Sequence, residues 1–186
     1  MRFSFSIIAT SLLVISAYAD DLVKPKIAEH AVSCLLIVNG VSGQFQILKN
    51  SVDQLTKDES HNSTVSTIYK KELLLEEYIR RSHSCCVTSR PEITDDEVVA
   101  ASDSLSLLTT DVVTSLKSIQ EKKPLFDKDP VTSARIRSHI GDLDNGIDHL
   151  LGCLLFKTPD KYLPLVFGFK DVISEAFKAA KLAYDI

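Results

Sequence analysis

Nine apolar residues recur in alternating steps of four and three between residues 27 and 55. This spacing places all nine on one face of an α-helix and differs from the strict alternation of a β-strand. It continues through Asn39, Gly40 and Gly43, so it predicts one long helix across these residues. Because one face of that helix is apolar, the helix needs partner helices to cover it. The nine residues are Ile27, Ala31, Cys34, Val38, Val41, Phe45, Leu48, Val52 and Leu55.

Four further segments repeat this helical periodicity and are separated by short breaks. They extend over residues 65–86, 94–119, 129–154 and 158–183. Thr94 and Glu97 are spaced as a capping box, and Asp129-Pro130 and Thr158-Pro159 are typical helix starts. Helices of this length joined by short loops pack antiparallel to their neighbours in sequence. The sequence therefore predicts an all-α fold, an up-and-down five-helix bundle.

The first 19 residues are predicted to be a secretory signal peptide rather than part of the fold. Arg2 precedes an apolar run, and Ala17-Tyr18-Ala19 provides the small residues of a cleavage site. A membrane anchor is the alternative, but it needs about 20 apolar residues, and no later segment is expected to span a bilayer. Residues 20–186 then form one secreted domain, with an association to the cell wall as a further expectation.

The net charge of the chain argues against nucleic-acid binding. The full sequence has a formal charge of −4, and loss of Arg2 with the signal peptide lowers it to about −5. No basic cluster accompanies this acidic balance, whereas nucleic-acid-binding domains carry one.

Four cysteines are predicted to lie at one end of the bundle. If the first helix runs upward, Cys34, Cys85, Cys86 and Cys153 all lie near the bottom. In an exported chain they predict two disulfides. Because adjacent cysteines rarely bond each other, Cys34 pairs with either Cys85 or Cys86, and Cys153 pairs with the other.

No motif in the sequence indicates catalysis. There is no nucleophile elbow, phosphate-binding loop or dinucleotide glycine pattern, so no catalytic residue, cofactor or metal site is predicted. The five histidines are expected to be solvated or to cap helices, and the pair Glu76-Glu77 is expected to be a solvated face. Asn62 begins the single N-glycosylation sequon, in the predicted loop between the first two helices.

A second top loop is predicted over residues 122–128. Leu125 and Phe126 lie among lysines there. Either they fold back and plug the end of the bundle, or they form an exposed tip that adsorbs to an apolar or anionic surface.

The whole arrangement resembles the fungal hydrophobic surface-binding protein A family and the related antigenic cell-wall galactomannoproteins. The resemblance rests on the signal peptide, the long first helix, residues 112–119 followed by Lys122-Lys123-Pro124-Leu125-Phe126, and Lys157-Thr158-Pro159 before the last helix. It covers about residues 21–186. The four cysteines and the lack of a wall-anchoring tail depart from the family pattern.

This resemblance implies a secreted, non-catalytic five-helix domain that binds hydrophobic surfaces or holds fatty acids between its helices. From spacing alone a solidly packed core is favoured over a cavity, and it is the resemblance that favours an apolar ligand. The candidate residues lining an apolar cavity are Phe45, Leu48, Val52, Leu105, Leu108, Val112, Ile140, Leu143, Ile147, Phe169, Ile173 and Phe177. The candidate donors to a carboxylate head group are Ser42, Gln46, Ser102 and Thr109.

A different function is also compatible with this sequence. A disulfide-linked helical bundle suits a secreted effector or an enzyme inhibitor whose partner is another protein. A ligand that co-purifies with the protein separates the two hypotheses.

Overall fold

The protein is an all-α bundle, as the periodicity predicts. The computed structural model describes residues 27–56, 61–86 and 94–186, so the predicted signal peptide lies outside the described residues. Within that part the secondary structure is five long helices and two short 3₁₀ helices. They are α1 (Glu29–Asp53), α2 (His61–Ser82), a 3₁₀ helix (His83–Cys86), α3 (Asp95–Phe126), α4 (Pro130–Lys157), a 3₁₀ helix (Asp160–Tyr162) and α5 (Leu163–Ala183).

Two of the predicted helix starts are confirmed. The Thr94 hydroxyl accepts the Glu97 N–H at 3.4 Å, and the Glu97 carboxylate accepts the Thr94 N–H at 2.8 Å. At the start of α4, the carboxylate of Asp129 accepts the N–H groups of Val131 and Thr132 at 3.1 and 3.2 Å. Both caps satisfy N–H groups that have no partner within their own helix.

The predicted start of the fifth helix at Thr158-Pro159 is wrong. The Thr158 hydroxyl donates to the Leu154 carbonyl at 2.7 Å, and Thr158 is the C-cap of α4. A 3₁₀ turn follows, and α5 begins at Leu163 with Pro164 in its first turn. Proline fits there because the first N–H groups of a helix have no intrahelical partner.

The predicted loop over residues 122–128 is also wrong, since α3 continues to Phe126 with Pro124 in its last turn. Phe126 is fully buried, and Leu125 is half-buried against the core. The interpretation in which these side chains plug the bundle end is therefore confirmed. The helix continues past Pro124 because this burial offsets the hydrogen bond that proline cannot make.

The five helices form a closed ring in the order α1, α2, α4, α5, α3. Neighbours α1 and α3 run parallel, because Ala28 N–H donates to Glu97 near their starts and the Ser115 hydroxyl donates to the Phe45 carbonyl farther along. Helix α2 is parallel to α4, and α3 is parallel to α5. The contacts that fix these two directions are Glu76 with His139, Ile79 with Gly146, Asp95 with Lys161, and Ile119 with Tyr184.

Helix α1 is more apolar than expected. Residues Ala31–Asp53 have a mean hydropathy of 1.5 and are long enough to cross a membrane by length and composition alone. The prediction that no later segment is apolar enough is therefore wrong for α1. In the bundle this helix packs on α2 and α3, with its ladder residues buried from Val38 onward.

One of the predicted disulfides is present. Cys34 near the start of α1 bonds to Cys85 in the 3₁₀ helix after α2, with Cα atoms 5.3 Å apart. Cys153 is also disulfide-bonded. The side chain of Cys86 lies outside the described residues, so its pairing with Cys153 stays a prediction.

The predicted glycosylation residue lies in a helix rather than in a loop. Helix α2 begins at His61, which places Asn62 in its first turn. Its side chain lies outside the described residues, so glycosylation stays a prediction.

Candidate ligand site

The twelve predicted lining residues lie in one contiguous core. They come from α1, α3, α4 and α5, and all are buried except Phe169, which is half-buried against the others. Their apolar side chains therefore face one interior shared by four helices. The binding of a ligand in this interior stays a prediction.

A small apolar cavity lies between α3, α4 and α5, near the starts of α3 and α5 and the end of α4. Its volume is about 20 Å³, and Leu105 is its only contribution from the twelve. Leu165 of α5 is 42% exposed and so carries the apolar wall out to the surface. The other residues of the wall are Val98, Ala101, Ser102, Leu154, Thr158 and Val166.

Of the four predicted head-group donors, Ser102 lies at this cavity. The hydroxyl of Ser42 instead donates to Asp111 at 2.5 Å, and that of Thr109 donates to the Leu105 carbonyl at 2.7 Å. Gln46 is exposed on α1. A hydroxyl has a single proton to donate, so Ser102 is the donor of the four best placed for a carboxylate at the cavity.

A second site, formed by polar side chains, lies between α2 and α4. Nδ1 of His139 contacts Oε1 of Glu76, and Nε2 of His139 lies 3.6 Å from Oε2 of Glu72. Glu72 is 2% exposed and His139 is 8% exposed. The His139 ring also packs at 5.7 Å, centroid to centroid, from that of Tyr69.

Glu72 is a buried acidic side chain. Burial and the neighbouring Glu76 carboxylate raise the pKa of Glu72 to about 8, against the opposing effect of Arg135. The Arg135 guanidinium lies over the Tyr69 ring, 4.2 Å from its centroid. Oε2 of Glu72 is buried without a hydrogen-bond partner, which is costly unless a ligand or proton compensates for it.

The sequence-based interpretation of these residues is wrong in two respects. His139 is buried rather than solvated, and Glu76 faces His139, whereas Glu77 is the solvated acid paired with Arg80 and Arg81. The sequence does place Glu72 and Glu76 four positions apart, which puts both acids on one face of a helix. Which helix faces them depends on tertiary packing, which no local pattern contains.

Two other histidines meet where the 3₁₀ helix after α2 approaches α4. The rings of His83 and His149 are 4.3 Å apart, edge to face. Burial and the proximity of His149 lower the pKa of His83. His149 itself is exposed, as predicted for a solvated histidine.

The fold has known counterparts among fatty-acid complexes. No protein-family model matches the chain, and no curated protein matches it. A solved structure of AfMP4p in complex with palmitic acid is similar, with a TM-score of 0.75 and 20% identity over 83% of this chain and 99% of that one. Two domains of the Penicillium marneffei MP1 protein are also similar.

Ligand binding domain 1 of MP1, complexed with arachidonic acids, gives a TM-score of 0.70 at 13% identity, covering 85% of this chain and 98% of that one. Domain 2, also with arachidonic acids, gives 0.72 at 11% identity, covering 82% and 93%. At such low identity these similarities establish the fold alone.

Proposed function

We propose that this chain is a secreted, non-catalytic protein that binds long-chain fatty acids between its helices, as a relative of the fungal hydrophobic surface-binding and galactomannoprotein family. The observation that carries the proposal is the fold, because AfMP4p and both MP1 domains hold fatty acids on the same architecture. The apolar cavity between α3, α4 and α5 supports it and offers an entry point. Ser102 at its wall is the proposed donor to the carboxylate.

Binding requires part of the bundle to move. The cavity of about 20 Å³ has room for about one water molecule, whereas pockets that hold small-molecule ligands have volumes of roughly 300–1,000 Å³. An acyl chain therefore enters only when helices or side chains separate. Helix α5 is the element proposed to move, since it covers the groove between α3 and α4.

The polar contacts at the cavity end of α5 are weak, whereas its far end is held by the ion pair of Lys181 with Asp144 and by the buried hydrogen bond from Tyr184 to Ile119. Lys161 pairs with Asp95 at 2.5 Å, and Lys170 pairs with Asp148 at 2.6 Å, both with solvent-exposed partners. Exposed pairs of this kind contribute about 0–1 kcal/mol each. Most of the remaining attachment is apolar, and an acyl chain replaces apolar contacts with equivalent ones.

Native mass spectrometry of the full chain from a eukaryotic host tests the proposal. We expect co-purified fatty acid, and after delipidation we expect palmitic and arachidonic acids to displace a fluorescent fatty-acid probe. Amide hydrogen exchange in α5 is expected to slow when fatty acid is bound. A delipidated, folded protein that binds neither acid would contradict the proposal.

A matched pair of variants on α5 locates the entry point. Leu165→Glu places a carboxylate at the cavity wall and is expected to weaken fatty-acid binding at least about 10-fold, because a charge is buried poorly beside an acyl chain. Leu182→Glu is the control, since Leu182 is 70% exposed and lies on the same helix. Equal affinities for the two variants would remove the cavity from the proposal.

Export is tested separately. We expect the protein in the culture medium to begin at Asp20, because cleavage follows Ala19. N-terminal sequencing decides this, and an intact amino terminus starting at Met1 would contradict the signal peptide.

A further inference from the structure

We propose that Glu76, His139 and Asp142 bind a divalent transition-metal ion at the interface of α2 and α4, with Glu72 as the positioning residue for the His139 ring. One carboxylate oxygen from Glu76, one from Asp142 and one ring nitrogen of His139 lie within 4.8 Å of one another. The site is distinct from the apolar cavity, and its occupation does not depend on fatty-acid binding.

Helix geometry brings these residues together. Glu72 and Glu76 are one turn apart on α2, and His139 and Asp142 are one turn apart on α4. Residues spaced by three or four share one helix face. Since α2 and α4 run parallel and approach closely at Ile79 and Gly146, the two faces stay opposed along the interface.

The environment of Glu72 is a second, independent observation that indicates a ligand. Its Oε2 atom is buried without a hydrogen-bond partner and lies 3.6 Å from Nε2 of His139. Nδ1, on the other side of the ring, faces Glu76. A cation bound at Nδ1 fixes the ring proton on Nε2, where it points to Glu72, and metal-bound histidines usually donate their second nitrogen to a carboxylate in this way.

The charges around the site favour a cation. Glu76 supplies a carboxylate at Nδ1 of His139, and one Asp142 carboxylate oxygen lies within 4.8 Å of a Glu76 carboxylate oxygen. The Arg135 guanidinium acts on the Glu72 carboxyl group. Asp142 is exposed, so an ion can reach the site from solvent. One imidazole and two carboxylates suit Zn²⁺ or a neighbouring first-row ion better than Ca²⁺ or Mg²⁺, which prefer oxygen ligands alone.

The test uses the full chain with its disulfides intact, delipidated and stripped of metal. Zn²⁺ binding is measured by calorimetry, and Co²⁺ binding is followed by its visible absorption bands. We expect one equivalent of each ion to bind, and Glu76→Gln, His139→Gln and Asp142→Asn each to weaken Zn²⁺ binding at least about 10-fold. Asp142→Asn is the most informative variant, because its exposed position leaves the fold intact.

His149→Gln and Asp148→Asn are the matched controls, since they alter an exposed histidine and an exposed aspartate on the same helix. We expect their Zn²⁺ affinities to stay within about twofold of the parent. The proposal is overturned if Asp142→Asn binds Zn²⁺ as tightly as the parent, or if the control variants lose as much affinity as the ligand variants.

Glu72 requires its own readout because its replacement also changes the core. Glu72→Gln is expected to weaken Zn²⁺ binding by about 10- to 100-fold and to shift the Co²⁺ absorption bands, since the ring loses its orienting carboxylate. An unchanged Co²⁺ spectrum and unchanged affinity would remove Glu72 from the site. Fatty-acid affinity, measured on the same variants, is expected to stay constant and keeps this outcome separate from the proposed function.

Discussion

Buried polar groups of this bundle bind specific backbone atoms on neighbouring helices. Glu97 is 2% exposed, and its two carboxylate oxygens accept the N–H of Thr94 within the cap and the N–H of Ala28 at the start of α1. One side chain therefore satisfies donors in two elements. Tyr184 and Ser115 act similarly, donating their hydroxyls to the carbonyls of Ile119 and Phe45.

Glu97→Ala is expected to lower the free energy of unfolding by roughly 1–3 kcal/mol, because two backbone donors lose their acceptor. Urea unfolding measures the change. Asp96→Ala is the control, since Asp96 is the exposed neighbour in the same turn. A loss no greater than that of the control would show that the link to α1 contributes nothing.

At this residue scale the sequence predicted part of the network. The capping box was predictable because Thr94 and Glu97 are three residues apart and cap chemistry is local. The bond from Ala28 to Glu97 spans 69 residues, and no local pattern indicates it. The pairing of Glu72 and Glu76 with His139 was missed for the same reason.

At the scale of the helices, α2 and α4 are in close contact at a glycine. A Cβ atom built on Gly146 would lie 2.6 Å from Cγ2 of Ile79, whereas one built on Gly141 of the same helix meets nothing within 4 Å. Ile79 is buried and β-branched, so its side chain has little freedom to move aside. Gly146 therefore sets the spacing of these two helices.

Replacing each glycine with alanine separates packing from helix propensity. Gly141→Ala is expected to raise the free energy of unfolding by about 0.5–1 kcal/mol through propensity alone. Gly146→Ala gains the same propensity but overpacks Ile79, which costs about 1–3 kcal/mol, so it is expected to be the less stable variant. Chemical denaturation of both decides the order, and a Gly146→Ala protein as stable as Gly141→Ala would contradict it.

Helix number and type were predictable from periodicity, but two ends were not. Thr158-Pro159 has the local chemistry of a start, yet its hydroxyl bonds back to Leu154. Pro124 has the local chemistry of a stop, yet burial of Phe126 keeps α3 helical. In both places long-range packing outweighs a local signal.

Across the whole molecule, covalent links join the helices at one end of the bundle. Cys34 and Cys85 connect α1 to the end of α2. We expect non-reducing peptide mapping to find this bridge together with a second one between Cys86 and Cys153. Recovery of Cys34 bonded to Cys86 would contradict the assignment.

The Cys34–Cys85 bridge joins residues that are 51 positions apart in the sequence. Its removal in a Cys34→Ala/Cys85→Ala variant is expected to cost up to roughly 4 kcal/mol by the chain-entropy model. Thermal and urea unfolding measure the loss, with Cys86→Ala/Cys153→Ala as the comparison. Unchanged stability would indicate that the bridge does not constrain the unfolded chain.

The parallel pairing of α1 with α3 also sets an order of events as the polypeptide is made. The main partner of α1 comes from residues about 70 positions later, as the bond from Ser115 to Phe45 shows. Helices α1 and α2 therefore leave the ribosome before the surface that covers α1 exists. Cys34 and Cys85 both belong to this early half, so oxidation of this pair can hold the α1–α2 hairpin while α3 is still being synthesised.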